Sequence, residues 1–295
     1  MDMSNPTTSS HGGTRYLVTG ATGNIGGRVV DRLVSRGERP RVFARDVAKA
    51  RARFGGRVDV VAGDLGDAAA LARAFAGVDV VLLVNSGPGL EVRDAAAAHV
   101  ARASGTKRLV KLSSFDAEHQ VGTGVWHALG EKAIEAVGVP FVFVRPTGFM
   151  DNALFWARGI KERGVVRSST GDGRIPFVHS DDIADVTLRA MTDGQLVGQR
   201  LPITGPGALS YAEMTAKIGA AIGKALRWEA MSDADAARFL ATLGEAPAMI
   251  EAHQSIYRAI REGRLAGVTR EVERVLGRKA TGFDRWVEEH AGAFR

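Results

Sequence analysis

The segment Gly20-Ala21-Thr22-Gly23-Asn24-Ile25-Gly26 constrains what this chain can fold into more than any other. It lies between a β-branched run, Tyr16-Leu17-Val18-Thr19, and a stretch of helical period from about Ile25 to Ser35 that closes at Gly37. A glycine triplet alone means little. Placed after a strand and before a helix, with another strand within about 30 residues, it opens a dinucleotide-binding βαβ unit. Gly20 permits the tight turn, Gly23 lets the backbone approach a pyrophosphate, and Gly26 lets helix and strand pack closely. Thr22, Asn24 and Ile25 complete the turn, whose free N–H groups share the positive end of the helix dipole and face the phosphates.

The alternation continues down the chain. Arg41–Ala44, Val58–Val61, Asp79–Val84, Arg108–Leu112 and Phe141–Val144 read as further strands. Helices fall between them, two with Asp46 and Asp67 as caps, one from about Leu90 to Ala103 and one from Trp126 to Val137. This pattern predicts a doubly wound α/β fold with a mostly parallel Rossmann sheet covered on both faces. After Pro146 the regularity fades. Ser210-Tyr211-Ala212-Glu213 has the form of a capping box and predicts a helix to about Ile222, and another follows Ser232. The expected organisation is a disordered leader over 1–14, a dinucleotide-binding domain over 15–150, and a smaller, mainly helical substrate lobe over 151–295, interwoven with the first.

Composition excludes several classes. Lys and Arg number 39 against 33 Asp and Glu, a net charge of +6, yet the basic residues are interleaved with acids and no run of five occurs. That argues against a nucleic-acid surface. There is no cysteine, so thiol catalysis, disulfides and zinc–thiolate sites are excluded, which fits a reducing cytoplasm. The seven histidines show no paired ligand spacing, so no metal site is expected. No apolar run reaches membrane-spanning length. The partner expected is a small-molecule substrate, in a cytoplasmic protein, monomer or homodimer.

The end of the second strand selects the dinucleotide. Here it reads Phe43-Ala44-Arg45-Asp46. An acid at this point bonds a ribose 2′-hydroxyl, whereas a cation suits a 2′-phosphate. Arg45 comes first, Lys49 lies within one helical turn, and Asp46 doubles as a helix cap. The reading is NADP(H) ahead of NAD(H). Asp64 and Leu65 after the third strand, and Asn85 and Ser86 after the fourth, should line the adenine and ribose crevice.

These residues, together with Lys111-Leu112-Ser113-Ser114, Glu131-Lys132-Ala133-Ile134-Glu135, Val144-Arg145-Pro146, Phe149-Met150-Asp151-Asn152 and Pro176 through Ala184, resemble the NmrA-like group of atypical short-chain dehydrogenases/reductases over nearly the whole chain. The resemblance implies an NADPH-dependent reductase of quinones or related electrophiles, a redox-sensing regulator without turnover, or a biosynthetic ketoreductase or epimerase. One departure matters. The superfamily's usual proton donor is a Tyr four residues before a Lys, and here that position is Ala128, before Lys132. The three tyrosines, Tyr16, Tyr211 and Tyr257, all lie elsewhere in the sequence.

Hydride transfer to a carbonyl needs a proton donor at the developing alkoxide. A quinone needs less help, because its reduced anion is delocalised. The reading is therefore an NADPH-dependent oxidoreductase acting on a small hydrophobic electrophile such as a quinone. His127, oriented by Glu131 four residues on, and Lys132 are the candidate acid–base groups, each with a packing or surface role open beside it. Ser113, with Ser114, sits where a hydroxyl meets a substrate oxygen. Phe149, Met150, Trp156 and Trp126 are the candidate apolar wall for the substrate.

Overall fold

The computed structural model describes residues 14–295. The expected leader therefore lies, but for Thr14, outside the described residues. Strand β1 (Tyr16–Thr19) leads to helix α1 (Asn24–Ser35), followed by β2 (Arg41–Ala44), α2 (Val47–Phe54), β3 (Asp59–Ala62), α3 (Ala68–Phe75), β4 (Val80–Val84) and α4 (Leu90–Ala103). Next come β5 (Arg108–Leu112), a single turn α5 (Asp116–His119), α6 (Thr123–Val137) and β6 (Phe141–Pro146). The caps act as read: the Asp46 carboxylate accepts from the Lys49 amide at 2.9 Å, and Asp67 accepts from Ala69 and Ala70.

Because strand side chains alternate between faces, the strands feed two cores. Val18, Leu82, Val110, Val142 and Val144 share a core with α1 and with the later helix over Ser180–Thr192, while Leu17, Val81, Leu83, Leu109 and Phe143 face α3, α4 and α6. Both sets are buried, which explains why the strands read as continuous apolar runs.

The second half is mainly helical, with five short strands among its helices. It contains α7 (Ala157–Arg163), β7 (Val165–Ser168), β8 (Arg174–Ile175), α8 (Ser180–Thr192), β9 (Arg200–Ile203), β10 (Leu209–Ser210), α9 (Tyr211–Ile222) and β11 (Arg227–Ala230). Helices α10 (Asp233–Thr242), α11 (Pro247–Arg261), α12 (Glu271–Leu276) and α13 (Phe283–His290) follow. Strand β9 joins the main sheet beside β6, giving the all-parallel order β3-β2-β1-β4-β5-β6-β9. Helix α8 returns to pack on α1 beneath that sheet. The remaining strands pair as β10 with β8 and β11 with β7. A third core, built around Met150, Ile175, Phe177, Met214, Ile260 and Trp286, lies mostly in this part of the chain, with Phe115 and Val121 joining it from the first half. The capping box is present, with Ser210 and Glu213 bonding each other's backbone N–H.

Candidate active site

All seven strands of the main sheet run the same way, so their carboxyl ends share one edge, where ligands bind in this architecture. The Thr19 hydroxyl clamps β1 to β4 there, donating to the Val84 carbonyl at 3.0 Å and accepting from the Val84 amide at 2.8 Å. Gly20 then turns with φ of +61°, and a Cβ on it would lie 2.9 Å from the Val84 Cβ. At Gly26 a Cβ would collide with the Gly20 carbonyl oxygen and sit 2.8 Å from its carbon. The first turn of α1 therefore lies directly on the loop. Unlike α2 and α3, which are capped by Asp46 and Asp67, α1 has no side-chain cap, and its first turn holds no acid. Its amino-terminal N–H groups and positive dipole end are open to an anion. The cradle fits a dinucleotide diphosphate.

Two turn residues contribute backbone only. The Ile25 side chain is enclosed in the core. The Asn24 amide is engaged, donating to Asp151 at 2.7 Å and to the Ser180 hydroxyl at 3.0 Å, while its carbonyl oxygen accepts from Arg28. Asp151 also accepts from the Trp286 indole at 2.7 Å. Burial works to raise the Asp151 carboxyl, but hydrogen bonds from Ser180, Trp286 and Asn24 and the Arg28 charge outweigh it and hold it below the ordinary value. This anionic knot ties the phosphate-binding turn to the second half of the chain.

At the adenosine end, the Arg45 side chain is 84% exposed and only loosely paired with Asp64, at 3.8 Å. It is free to reach a ligand, and Lys49 is exposed beside it. Asp64 accepts from the Gly66 amide, and Leu65 packs against the core under β3. The expectation for Asn85 needs correction. Its side chain is consumed internally, donating to Leu90 and Asp94 and accepting from Ser86 and Arg93, so it has no capacity left for a ribose. Ser86 is exposed. Sequence reasoning missed Arg53. Its guanidinium covers Gly27, donates to the Gly23 carbonyl at 3.3 Å and pairs with Asp31 at 3.4 Å. The helical spacing Arg45, Lys49, Arg53 was the signal for it.

The region around β5 and α6 departs further from expectation. Ser113 donates to Glu131 at 2.5 Å, and Arg145 grips the same carboxylate through two nitrogens. Ser113 is thus committed inward, and Ser114, half-buried, is the hydroxyl nearer the edge. Glu131 does not orient His127: its carboxylate bonds Ser113 and Arg145, and among the described residues no hydrogen bond joins it to the His127 ring. His127 is buried, and its Nδ1 has no partner. Burial first, and the Lys111 cation second, push its pKa well below the ordinary value. It is a neutral imidazole near pH 7, enclosed rather than poised as an acid–base group. Lys111 itself is fully buried in an ion pair with Asp94, whose other oxygen accepts from Asn85. Lys132 is exposed and opens onto a charged groove of about 550 Å³ shared with Glu118, Glu135, Arg145 and Arg200. Glu135, three residues on from Lys132, pairs with Arg200.

The four apolar substrate candidates are not gathered into one wall. Phe149 is half-buried against the sheet core, and Trp126 is half-buried on α6. Met150 is fully enclosed and lines a cavity of about 230 Å³ with Phe177, Met214 and Phe283. Trp156 leans on Tyr211, 5.0 Å between ring centroids. None of the tyrosines replaces the missing donor: Tyr16 is buried in β1, Tyr211 is buried in the lobe core, and Tyr257 packs against that core.

The profile of a family described as NAD(P)H-binding matches residues 20–194, from the glycine turn through α8. The chain belongs to that family. Among its relatives is a (4-alkanoyl-5-oxo-2,5-dihydrofuran-3-yl)methyl phosphate reductase of Streptomyces griseus, 39% identical over 283 residues, spanning 94% of this chain and 98% of the relative. An NAD(P)H azoreductase of Xenophilus azovorans is 34% identical over 282 residues, with the same coverage of each chain. In structure the chain is similar to an NADPH-dependent quinone oxidoreductase of Escherichia coli in complex with NADPH, with a TM-score of 0.84 at 25% identity over 93% of this chain and 99% of that one. The family assignment agrees with the resemblance read from the motifs.

Proposed function

We propose that the protein is an NADPH-dependent oxidoreductase that delivers hydride to a small hydrophobic electrophile, with quinones as the leading class. The observation that carries this is the uncapped, acid-free start of α1 pressed onto a glycine loop at the carboxyl edge of the sheet. Relatives named as reductases of an azo compound and of a conjugated oxo-dihydrofuran support turnover over sensing. Quinone, azo bond and conjugated lactone share one property: hydride addition leaves a delocalised anion, which lowers the demand on the protein.

The bound dinucleotide supplies a hydride. The chain supplies the rest. The turn amides and the α1 dipole hold the diphosphate, and Arg45 with Lys49 meets the 2′-phosphate. Phe149 and Trp126, two of the three half-buried members of the apolar set, lie against the acceptor's ring and exclude water. Orientation and a dry site carry most of the rate enhancement.

Two measurements check this reading. Purified protein with NADPH and a panel of quinones, azo dyes and enones should consume the nicotinamide absorbance; no consumption across the panel would overturn it. Arg45→Ala should weaken NADPH by about 2 kcal/mol, roughly thirty-fold, through loss of a charge-assisted contact. NADH should weaken far less, and equal losses in a calorimetric titration would remove Arg45 from the 2′-phosphate.

A further inference from the structure

Reduction of a quinone or azo bond consumes one proton with each hydride, and the residues expected to deliver it are accounted for elsewhere. Ser113 and Glu131 bond each other, His127 is neutral and enclosed, Lys132 opens onto the outer groove, and the tyrosines are buried or packed in other parts of the molecule. The first turn after β5 holds three further titratable groups: Glu118, which is exposed and faces Arg145 at 3.8 Å, His119, whose ring packs on Phe115 with centroids 5.2 Å apart, and Asp116.

Its position is fixed by the fold. Asp116 begins α5 directly after Ser113-Ser114-Phe115, at the ligand edge of the sheet, and its amide donates to the Ser114 hydroxyl at 3.2 Å. Helix α6 closes on it. A Cβ at Gly124 would strike the Asp116 carbonyl group and lie 2.6 Å from the Ala117 nitrogen, so only glycine allows this approach. Asp116 is partly buried, yet among the described residues it pairs with no Lys, Arg or His. Of the charges on the elements packed around it, Lys111 is engaged with Asp94, Glu131 with Arg145, Glu118 with Arg145 at 3.8 Å and Glu135 with Arg200, while Lys132 is exposed. Burial pushes the Asp116 carboxyl up to about 6, against the opposing hydrogen bond with Ser114. An unpaired carboxyl in such a place keeps a proton more readily than an exposed one does.

We propose that Asp116, braced by Ser114 at the carboxyl end of β5, is the proton donor that stands in for the missing tyrosine. The inference rests on the reductase reading above. As hydride adds to one atom of the acceptor, the π bond breaks and its electron pair moves to an oxygen or nitrogen. The Asp116 O–H bond breaks, a new O–H or N–H bond forms on the acceptor, and the carboxylate regains a proton from water. The net consumption is one NADPH and one proton for each two-electron reduction.

The test compares a benzoquinone, which needs hydride and a proton, with a cationic triarylmethane dye, which needs hydride alone. General acid catalysis contributes at least about 100-fold, so Asp116→Asn should lower the quinone-to-dye rate ratio by about that factor. An unchanged ratio, whether both rates fall together or neither falls, overturns the proposal. A second readout needs no turnover. The infrared difference between wild type and Asp116→Asn at about pH 5 should contain the carbonyl stretch of a protonated carboxylic acid. Absence of that band in a protein that still reduces quinones overturns the proton donor alone. A wild type silent toward both acceptors overturns the reductase reading, and this proposal with it.

Discussion

Gly26→Ala is expected to abolish dinucleotide binding and to destabilise the fold. The added methyl would meet the carbonyl group of Gly20, which is backbone and cannot rotate away as a side chain would. Gly20 in turn is held by its positive φ and by Val84 behind it. Relief requires α1 to move off the loop, and the amides that face the diphosphate move with it. Overpacking of this kind typically costs about 1–3 kcal/mol. Thermal melting and NADPH titration of the variant check both effects. A variant with wild-type affinity would mean that the helix start is not where the diphosphate sits. Gly27→Ala is the control. There the three atoms nearest a Cβ all belong to the Arg53 guanidinium, the end of a flexible side chain, so a small effect is expected.

The second large effect is expected at Lys111→Met. Lys111 and Asp94 are both fully buried and pair between β5 and α4, with Gly130 of α6 giving the room that the Asp94 carboxylate needs. Removing one partner of a buried pair strands the other's charge and costs about 3–5 kcal/mol, whereas replacing both with apolar residues is often near neutral. Lys111→Met should therefore lower the denaturation midpoint sharply, and Lys111→Met with Asp94→Leu should recover much of the loss. If the double variant is no better than the single one, the pair is not what holds this region. The same substitution removes a cation that helps keep His127 neutral, so the His127 ring resonances should titrate at higher pH in any folded Lys111→Met protein.

Much of this was legible in the residues. The six strands before residue 150, the helices between them and the caps at Asp46, Asp67, Ser210 and Ser232 rest on local signals: period, branching, and a side chain three residues from the amide it accepts from. Strand β9 was not. Arg200-Leu201-Pro202-Ile203 is short and contains a proline, which in a strand belongs at a sheet edge, and β9 is the edge strand beside β6. The phosphate-binding turn announces itself because glycine is demanded by sterics within seven residues. The chemistry beyond it does not. The Lys111–Asp94 and Arg145–Glu131 pairs join residues on different elements, and nothing local in Asn85 reveals that both ends of its amide are taken by α4 and the loop before it. Asp116 went unnoticed for the same reason: its interest lies in having no cationic partner, a property of the folded neighbourhood.

The most direct test of the account is a calorimetric titration of the purified protein with NADPH and, separately, NADH. One site per chain with measurable heat, tighter for NADPH than for NADH and lost in Gly26→Ala, is the result the account predicts. No heat from either nucleotide, or full binding by the Gly26→Ala protein, would contradict it.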